Sequence, residues 1–528
     1  MKKIVLALAL AALLAGPAAA ADNLADIDQA GDDNTASATQ TSVAAGDYNQ
    51  AYQLQNGNEN SATVTQTGNN AQGIYGPVGF AAEQYQVGDG NSATIDQNGT
   101  DNMAYQDQAG DGNSAETIQI GTANTAYQNQ LGFGNSAEAY QEGNQNNLNS
   151  WQVDQFQEGN NNTARVSQIG DFNTVSQHQN GDGNYAEANQ SGNWNNLTEG
   201  QIQQSQEGNL NSAVSTQAGD RNWGTQSQTG DGNSVTLEQG GIMHNATQMQ
   251  MGNDNTANIN QTGDDSGFNT AYQNQFGDGN TATIDQTGSN NGMNAAQSAL
   301  WGAEQYQTGD RNDASISQNG TGNYASQDQE GDDNIASAHQ EGDGNVAVQH
   351  QDGNGNNSQV YYGINDFPYG ANIEQYGDDN LAIQHQHGDD NAAYMVQDSS
   401  ASAGSNRAKV GQKGSANSAT VGQWGSQTGA ATLTGDLMEY GAEVYQMGDG
   451  NIAGLGQGGN DNYALIEQGL RPAGPGLPPE GVSNDNFAYV YQDGNLNWTT
   501  VRQTGLGGHG ANVDQFGDSN SAVVVQAQ

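Results

Sequence analysis

The chain has 528 residues, 10 Lys+Arg against 59 Asp+Glu, a formal charge of −49, 74 glycines and no cysteine. Such a field repels nucleic acid and anionic membrane surfaces, and the lack of thiols excludes disulfide staples, cysteine nucleophiles and soft metal sites. With 33% hydrophobic residues, composition by itself leans toward disorder.

The chain begins Met1-Lys2-Lys3, then runs apolar from Ile4 to Ala15, then reads Gly16-Pro17 and small residues from Ala18 to Ala21. That order is the order of a secretory signal peptide, so residues 1–21 are predicted to be removed after Ala20 or Ala21. No second apolar run of about 18 residues follows, and no membrane-spanning segment is predicted.

Beyond this leader one phrase, Gln-x-Gly-x-x-Asn, returns throughout. It starts at Gln86, Gln97, Gln108, Gln119, Gln130 and Gln141, and again at Gln307, Gln318, Gln329, Gln340 and Gln351, eleven residues apart. Disorder has no reason to keep such a register; a stack of short units, each stabilised by its neighbours, does.

The unit Asn91-Ser92-Ala93-Thr94-Ile95-Asp96-Gln97 alternates, and Asn98-Gly99-Thr100-Asp101 turns the chain toward Asn102. Period-two alternation places Asn91, Ala93, Ile95 and Gln97 on one face, predicted to point inward, and Ser92, Thr94 and Asp96 on the other. The second residue after each Asn is nearly always Ala, as at Ala93, Ala104, Ala115, Ala314 and Ala325, which implies a narrow core. The fourth alternates between Gln, as at Gln106 and Gln128, and a smaller or apolar residue, as at Ile95, Thr117 and Ala139. The full period is therefore 22 residues. The predicted fold is all-β: a parallel β-solenoid with two short strands per 22-residue coil, stacked about 4.8 Å apart.

Stacking also explains why amides fill a core. Identical Gln and Asn side chains one strand spacing apart can bond to one another up the axis as ladders. The expected ladder and turn residues are Gln86, Gly88, Asn91, Ala93, Gln97, Gly99, Asn102, Ala104, Gln108, Gly110 and Asn113, with Gln307, Asn312, Gln318, Asn323 and Gln329 in the later coils. Gly88, Gly99 and Gly110 are expected at positive φ. The acids before the Asn, as in Asp89-Gly90, Asp111-Gly112 and Asp332-Asp333, are expected to point outward, where divalent cations would screen them and speed association.

A longer repeat overlies the short one: Gly79 to Gln86 returns as Leu300 to Gln307. The chain divides accordingly into a block at 22–249, its duplicate at 250–470, and a Pro/Gly-rich insertion with closing repeats at 471–528. Insertions interrupt the pattern at Gly73 to Ala82, Ser298 to Ala303, Tyr361 to Asn372, Ser399 to Lys409, Ala430 to Ala442 and Leu470 to Ser483. They are expected as loops, because Pro is excluded from central strands.

Asn-x-Ala-x-x-x-Gln-x-Gly-x-x-Asn, as it stands from Asn91 to Asn102, resembles the curlin repeat of curli subunits. The resemblance implies a two-strand-per-coil β-solenoid that is secreted and polymerises into amyloid fibres at the surface of Gram-negative bacteria. It implies self-association, curli-type nucleator and outer-membrane secretion factors as partners, and a contribution to biofilm matrix and adhesion. Known subunits are shorter and carry few insertions.

No catalytic, cofactor or metal residue is predicted. His178, His244, His339, His350, His385, His387 and His509 lie in or beside repeat positions, and His385-Gln386-His387 reads as outward and solvated. A calcium β-roll needs a nonapeptide that this period does not supply. The alternative function is a monomeric secreted β-helix that binds a surface, an adhesin or an ice-binding-like protein. That needs a uniform outward row, and Thr94, Tyr105, Glu116, Tyr127 and Glu138 do not form one.

Overall fold

The computed structural model describes residues 23–43, 49–70, 81–146, 153–195, 202–263, 268–291, 302–356, 371–399, 405–425, 441–469, 485–504 and 508–527. The leader, and the insertion from Leu470 to Ser483, lie outside them. Every described element is a strand, and no helix among the described residues is long and apolar enough to cross a membrane.

The alternation of small or apolar with polar residues is what makes these segments strands. In Ser92–Thr100 the buried residues are Ala93, Ile95 and Gln97, and the residues between them are exposed or half-buried. Two strands make a coil, one in a leading sheet and the next in a trailing sheet. Met103–Ala109 lies in the leading sheet, parallel to Ala82–Val87 and Thr125–Phe133. Ser92–Thr100 lies in the trailing sheet, parallel to Ser61–Asn69 and Ser114–Thr122. Register is strict: Ala82 pairs with Ala104 and Gln86 with Gln108.

The coils form two compact units, one reaching His244 and one starting at Asn245. The first runs from Leu24–Ala30 to Ser234–Gly240, the second from Asn245–Met251 to Ser521–Ala527. Within each, the core is a thin layer between the sheets. In the first unit Val64 and Ile95 from the trailing sheet pack against Ala51, Ala82 and Ala104 from the leading sheet. Large faces small across the layer: Ile and Val of the trailing sheet stand against Ala of the leading sheet, while the trailing sheet keeps its own Ala column at Ala62, Ala93 and Ala115.

Coil length is less uniform than the eleven-residue phrase suggests. The pairing residues Gln55 and Gln86 are 31 apart, Gln128 and Gln155 are 27 apart, and Gln351 and Gln386 are 35 apart, yet each pair shares a register position. The insertion bounds expected from sequence also move. Ala82, Ala303, Asn372, Lys409 and Ala442 already belong to the strands Ala82–Val87, Ala303–Thr308, Ala371–Tyr376, Arg407–Lys413 and Ala442–Met447. The strands recover the alternating pattern earlier than the change of composition suggests.

Candidate functional site

The chemistry of this molecule lies where one coil meets the next. Gln97 Nε2 donates to Gln119 Oε1 at 2.9 Å and to the Ala81 carbonyl across the core at 3.1 Å, while its Oε1 accepts from Gln66 at 2.8 Å. Gln86 and Gln108 repeat this in the leading sheet, Gln86 to Gln108 at 2.9 Å and Gln108 to Gln130 at 2.8 Å. Both amide hydrogens and the oxygen are used, which removes the usual cost of burying an amide. In the second unit Gln307 donates to Gln329, Gln318 to Gln340 and Gln329 to Gln351, at 2.8–2.9 Å.

One such ladder runs up each sheet, and the leading sheet carries another two residues earlier. It starts at Gln53, which pairs in register with Ile27, and the Gln53 Oε1 is left without a hydrogen-bond partner. In the second unit this ladder runs from Gln248 to Gln384. Val410, Val444, Ile466 and Val501 then take its place, all fully buried. The last coils thus exchange an amide column for an aliphatic one.

The core asparagines act differently from the glutamines. Asn91 Oδ1 accepts the Asn113 backbone N–H at 2.9 Å, and its Nδ2 donates to the Gly110 carbonyl at 2.7 Å. Asn102 holds Asn124 and Gly121 in the same way, Asn113 holds Asn135 and Gly132, Asn312 holds Asn334 and Gly331, and Asn323 holds Asn345 and Gly342. Each staples the corner of the following coil through side chain to backbone, and the expected amide-to-amide rungs stand beside these staples at some corners, as from Asn102 Nδ2 to Asn70 Oδ1 at 3.2 Å and from Asn417 to Asn391 and Asn451 to Asn417 at 3.0 Å.

The corner glycines are fixed by crowding as well as by φ. Gly99 has φ +144°, and a Cβ there would stand 1.8 Å from the Gly121 carbonyl oxygen. A Cβ at Gly88 or Gly110 would stand 2.2 or 2.0 Å from the carbonyl oxygen of the next glycine. Two residues later the chain enters the left-handed region, with Gly90 and Gly112 there but also Asp101, Arg221 and Asp333.

The corner acids have a role that sequence reasoning missed. Asp89 Oδ1 accepts the Asn58 backbone N–H at 2.7 Å, and Asp111 Oδ1 accepts that of Asp89 at 2.8 Å. Asp310, Asp332 and Asn354 continue the arrangement in the second unit. The signal was present in the Asp or Asn that so often follows the corner glycine.

The outer faces also correct an expectation. Tyr105 and Tyr127 lie on the leading sheet, whereas Thr94, Glu116 and Glu138 form a column on the trailing sheet. Reading every eleventh residue mixed two faces. On the leading face Tyr52, Tyr85, Tyr105 and Tyr127 follow one another with ring centroids 5.4–5.5 Å apart. Burial first, then Glu83, raises the Tyr85 phenol, and burial, then Asp107, raises that of Tyr105.

His244 and His509 occupy corner positions that Asn fills elsewhere, their backbone N–H groups bonded to Asn222 and Asn486. Burial holds the His244 pKa below the ordinary range. His385 and His387 are exposed, and His387 Nδ1 lies 2.6 Å from Asp352 Oδ2. Among the described residues no three His, Asp or Glu side chains are grouped to hold a metal ion.

Comparison with known proteins matches residues 159–192, 252–288, 309–340 and 441–469 to the family model described as the curlin associated repeat. These repeats are structural and non-catalytic. No curated protein matches the chain.

Proposed function

We propose, for a chain whose repeats over those four segments are curlin associated repeats, that it is a secreted structural subunit that joins copies of itself into a curli-like extracellular fibre. One observation carries the reading: each coil presents to the next the same bonding groups that the next presents onward. In every ladder the Nε2 of one coil donates to the Oε1 of the following coil, as Gln86 to Gln108 and Gln108 to Gln130. A coil face toward the C-terminal end therefore offers donors, and a face toward the N-terminal end offers acceptors. Joining like faces would set acceptor against acceptor, so growth is head to tail.

A fibre of this kind serves as matrix and adhesive material at a bacterial surface, with self-association as its main partnership and a nucleator and secretion factors upstream. Assembly of the mature chain is expected to show a lag, then thioflavin fluorescence and a cross-β reflection near 4.8 Å along the fibre axis. The test replaces Gln97, Gln108 and Gln119 together with Leu. Lag is expected to lengthen several-fold although hydrophobicity rises, because buried partners lose their bonds. Unchanged kinetics would sink the reading.

A further inference from the structure

The trailing sheet of the last coils carries a surface unlike the rest of the molecule. Its strands Ser418–Trp424, Ile452–Gly458, Phe487–Asp493 and Gly510–Phe516 are consecutive and parallel. Their outward positions include three glycines, Gly422, Gly454 and Gly456, where strand interiors disfavour glycine unless something approaches closely. Here aromatic rings approach. A Cβ at Gly454 would stand 2.9 Å from Tyr489, one at Gly456 3.0 Å from Tyr491, and one at Gly422 2.5 Å from Trp424.

The rings are laid down on the sheet instead of projecting from it. Gly422 and Gly456 are buried although they point outward, because Trp424 and Tyr491 cover them. The rings themselves stay open to solvent: Trp424 is 47% exposed and Tyr489 39%. Phe516 extends the surface, its ring centroid 5.9 Å from that of Tyr491. Asp493 and Asp514 stand exposed beside these rings, and the four strands carry no Lys, Arg or His.

We propose that this surface binds a neutral polysaccharide, with pyranose rings stacked on Trp424, Tyr489 and Tyr491. A sugar ring has an apolar C–H face that suits a flat π face, and hydroxyls at its rim that suit carboxylate acceptors such as Asp493 and Asp514. An anionic polymer meets carboxylates and no cation. A second copy of the same face would set Asp493 and Asp514 against like charges. Three rings spread over several strands fit a chain of sugars better than a single one. The inference does not rest on fibre growth.

The test is affinity electrophoresis of the full mature chain through native gels holding hydroxyethylcellulose, alginate or no polymer. Retardation by hydroxyethylcellulose alone is expected. Trp424→Ala and Tyr489→Ala should each weaken it about tenfold, the effect of about 1.4 kcal/mol. Gly456→Val keeps every ring but lifts Tyr491, and should weaken binding as well. Tyr105→Ala, in the tyrosine row of the first unit, should leave it unchanged. Circular dichroism and thioflavin lag, read on the same samples, separate lost binding from lost fold or assembly. Absent retardation, retardation by alginate alone, equal retardation of Gly456→Val, or equal loss in Tyr105→Ala would each overturn the proposal.

Discussion

A buried amide is stabilising here only because its partners are identical to it, and this makes substitution costs depend on position in the ladder. Gln108→Leu removes the acceptor of Gln86, the donor to Gln130 and the donor to the Ser92 carbonyl. At roughly 1–3 kcal/mol per group left unsatisfied, partly offset by burying leucine, the net loss is about 2 kcal/mol. Gln384→Val, at the end of its ladder and next to Val410, removes the acceptor of Gln349 and the donor to the Asn372 carbonyl but strands no amide beyond it, and should cost about 1 kcal/mol less. Urea unfolding of the two variants measures the contrast. Glycines divide in the same way: Gly99→Ala meets the next coil at 1.8 Å, whereas Gly90→Ala meets nothing within 4 Å. The first should prevent the coils from closing; the second should cost only the left-handed strain of about 1–2 kcal/mol. His244 adds a pH dependence. Its folded pKa lies below the unfolded value of about 6.5, so stability is complete above that value and falls as pH drops through it, because the unfolded chain takes up the proton first. His244→Asn should flatten the decline between pH 7.5 and 5 in urea titrations. The inward Gln, Asn and Ala were legible from alternation alone. What the asparagine and aspartate side chains bond to was not, since those partners are chiefly backbone groups of a neighbouring coil, the following one for asparagine and the preceding one for aspartate, and leave no residue-type signal there.

Strands in this fold are specified far more tightly than the segments between them. Parity and register follow from side-chain type, so strand positions such as Ser92–Thr100 could be read in advance. Coil length could not: Gln128 pairs with Gln155 and Gln179 with Gln206 across 27 residues, although the phrase suggests 22. The extra residues fall between strands in the sequence, where added length changes closure entropy only slowly, and the ladder resumes in register. The outer rows were missed for a related reason, because successive phrases face opposite ways. A direct consequence concerns insertions. Five Gly/Ser residues placed between Asn146 and Val153 should change stability by less than about 1 kcal/mol. One residue inserted between Thr94 and Ile95 would turn the rest of that strand over, exposing Gln97 and burying Asn98. Proteolysis of the folded chain should leave the first variant intact and cut the second within the altered coil.

At the scale of the whole molecule, charge opposes what the ladders favour. The full chain carries −49, and a copy without Lys2 and Lys3 of the leader carries 8 Lys+Arg against 59 Asp+Glu, −51; joining two copies brings like fields together while ladder bonds act only at contact. The acids responsible are partly engaged: Asp89, Asp111, Asp310 and Asp332 each give one carboxylate oxygen to a backbone N–H of the preceding coil. Asn354, Asn209 and Asn193 accept the same bond without a charge, so stacking needs the side-chain oxygen and not its charge, and the charge itself slows association. Salt should then act on encounter more than on the coil. The Debye length falls from about 30 Å at 0.01 M to about 8 Å at 0.15 M ionic strength, so the thioflavin lag should shorten by about tenfold over that range, while the urea midpoint of the unassembled chain changes little. Divalent cations were expected to speed association by screening these acids, but one oxygen of each is engaged and leaves an incomplete ligand set, so calcium and sodium chloride at matched ionic strength should give the same lag. A shorter lag in calcium alone would mean that the corner carboxylates of stacked coils hold the ion between them.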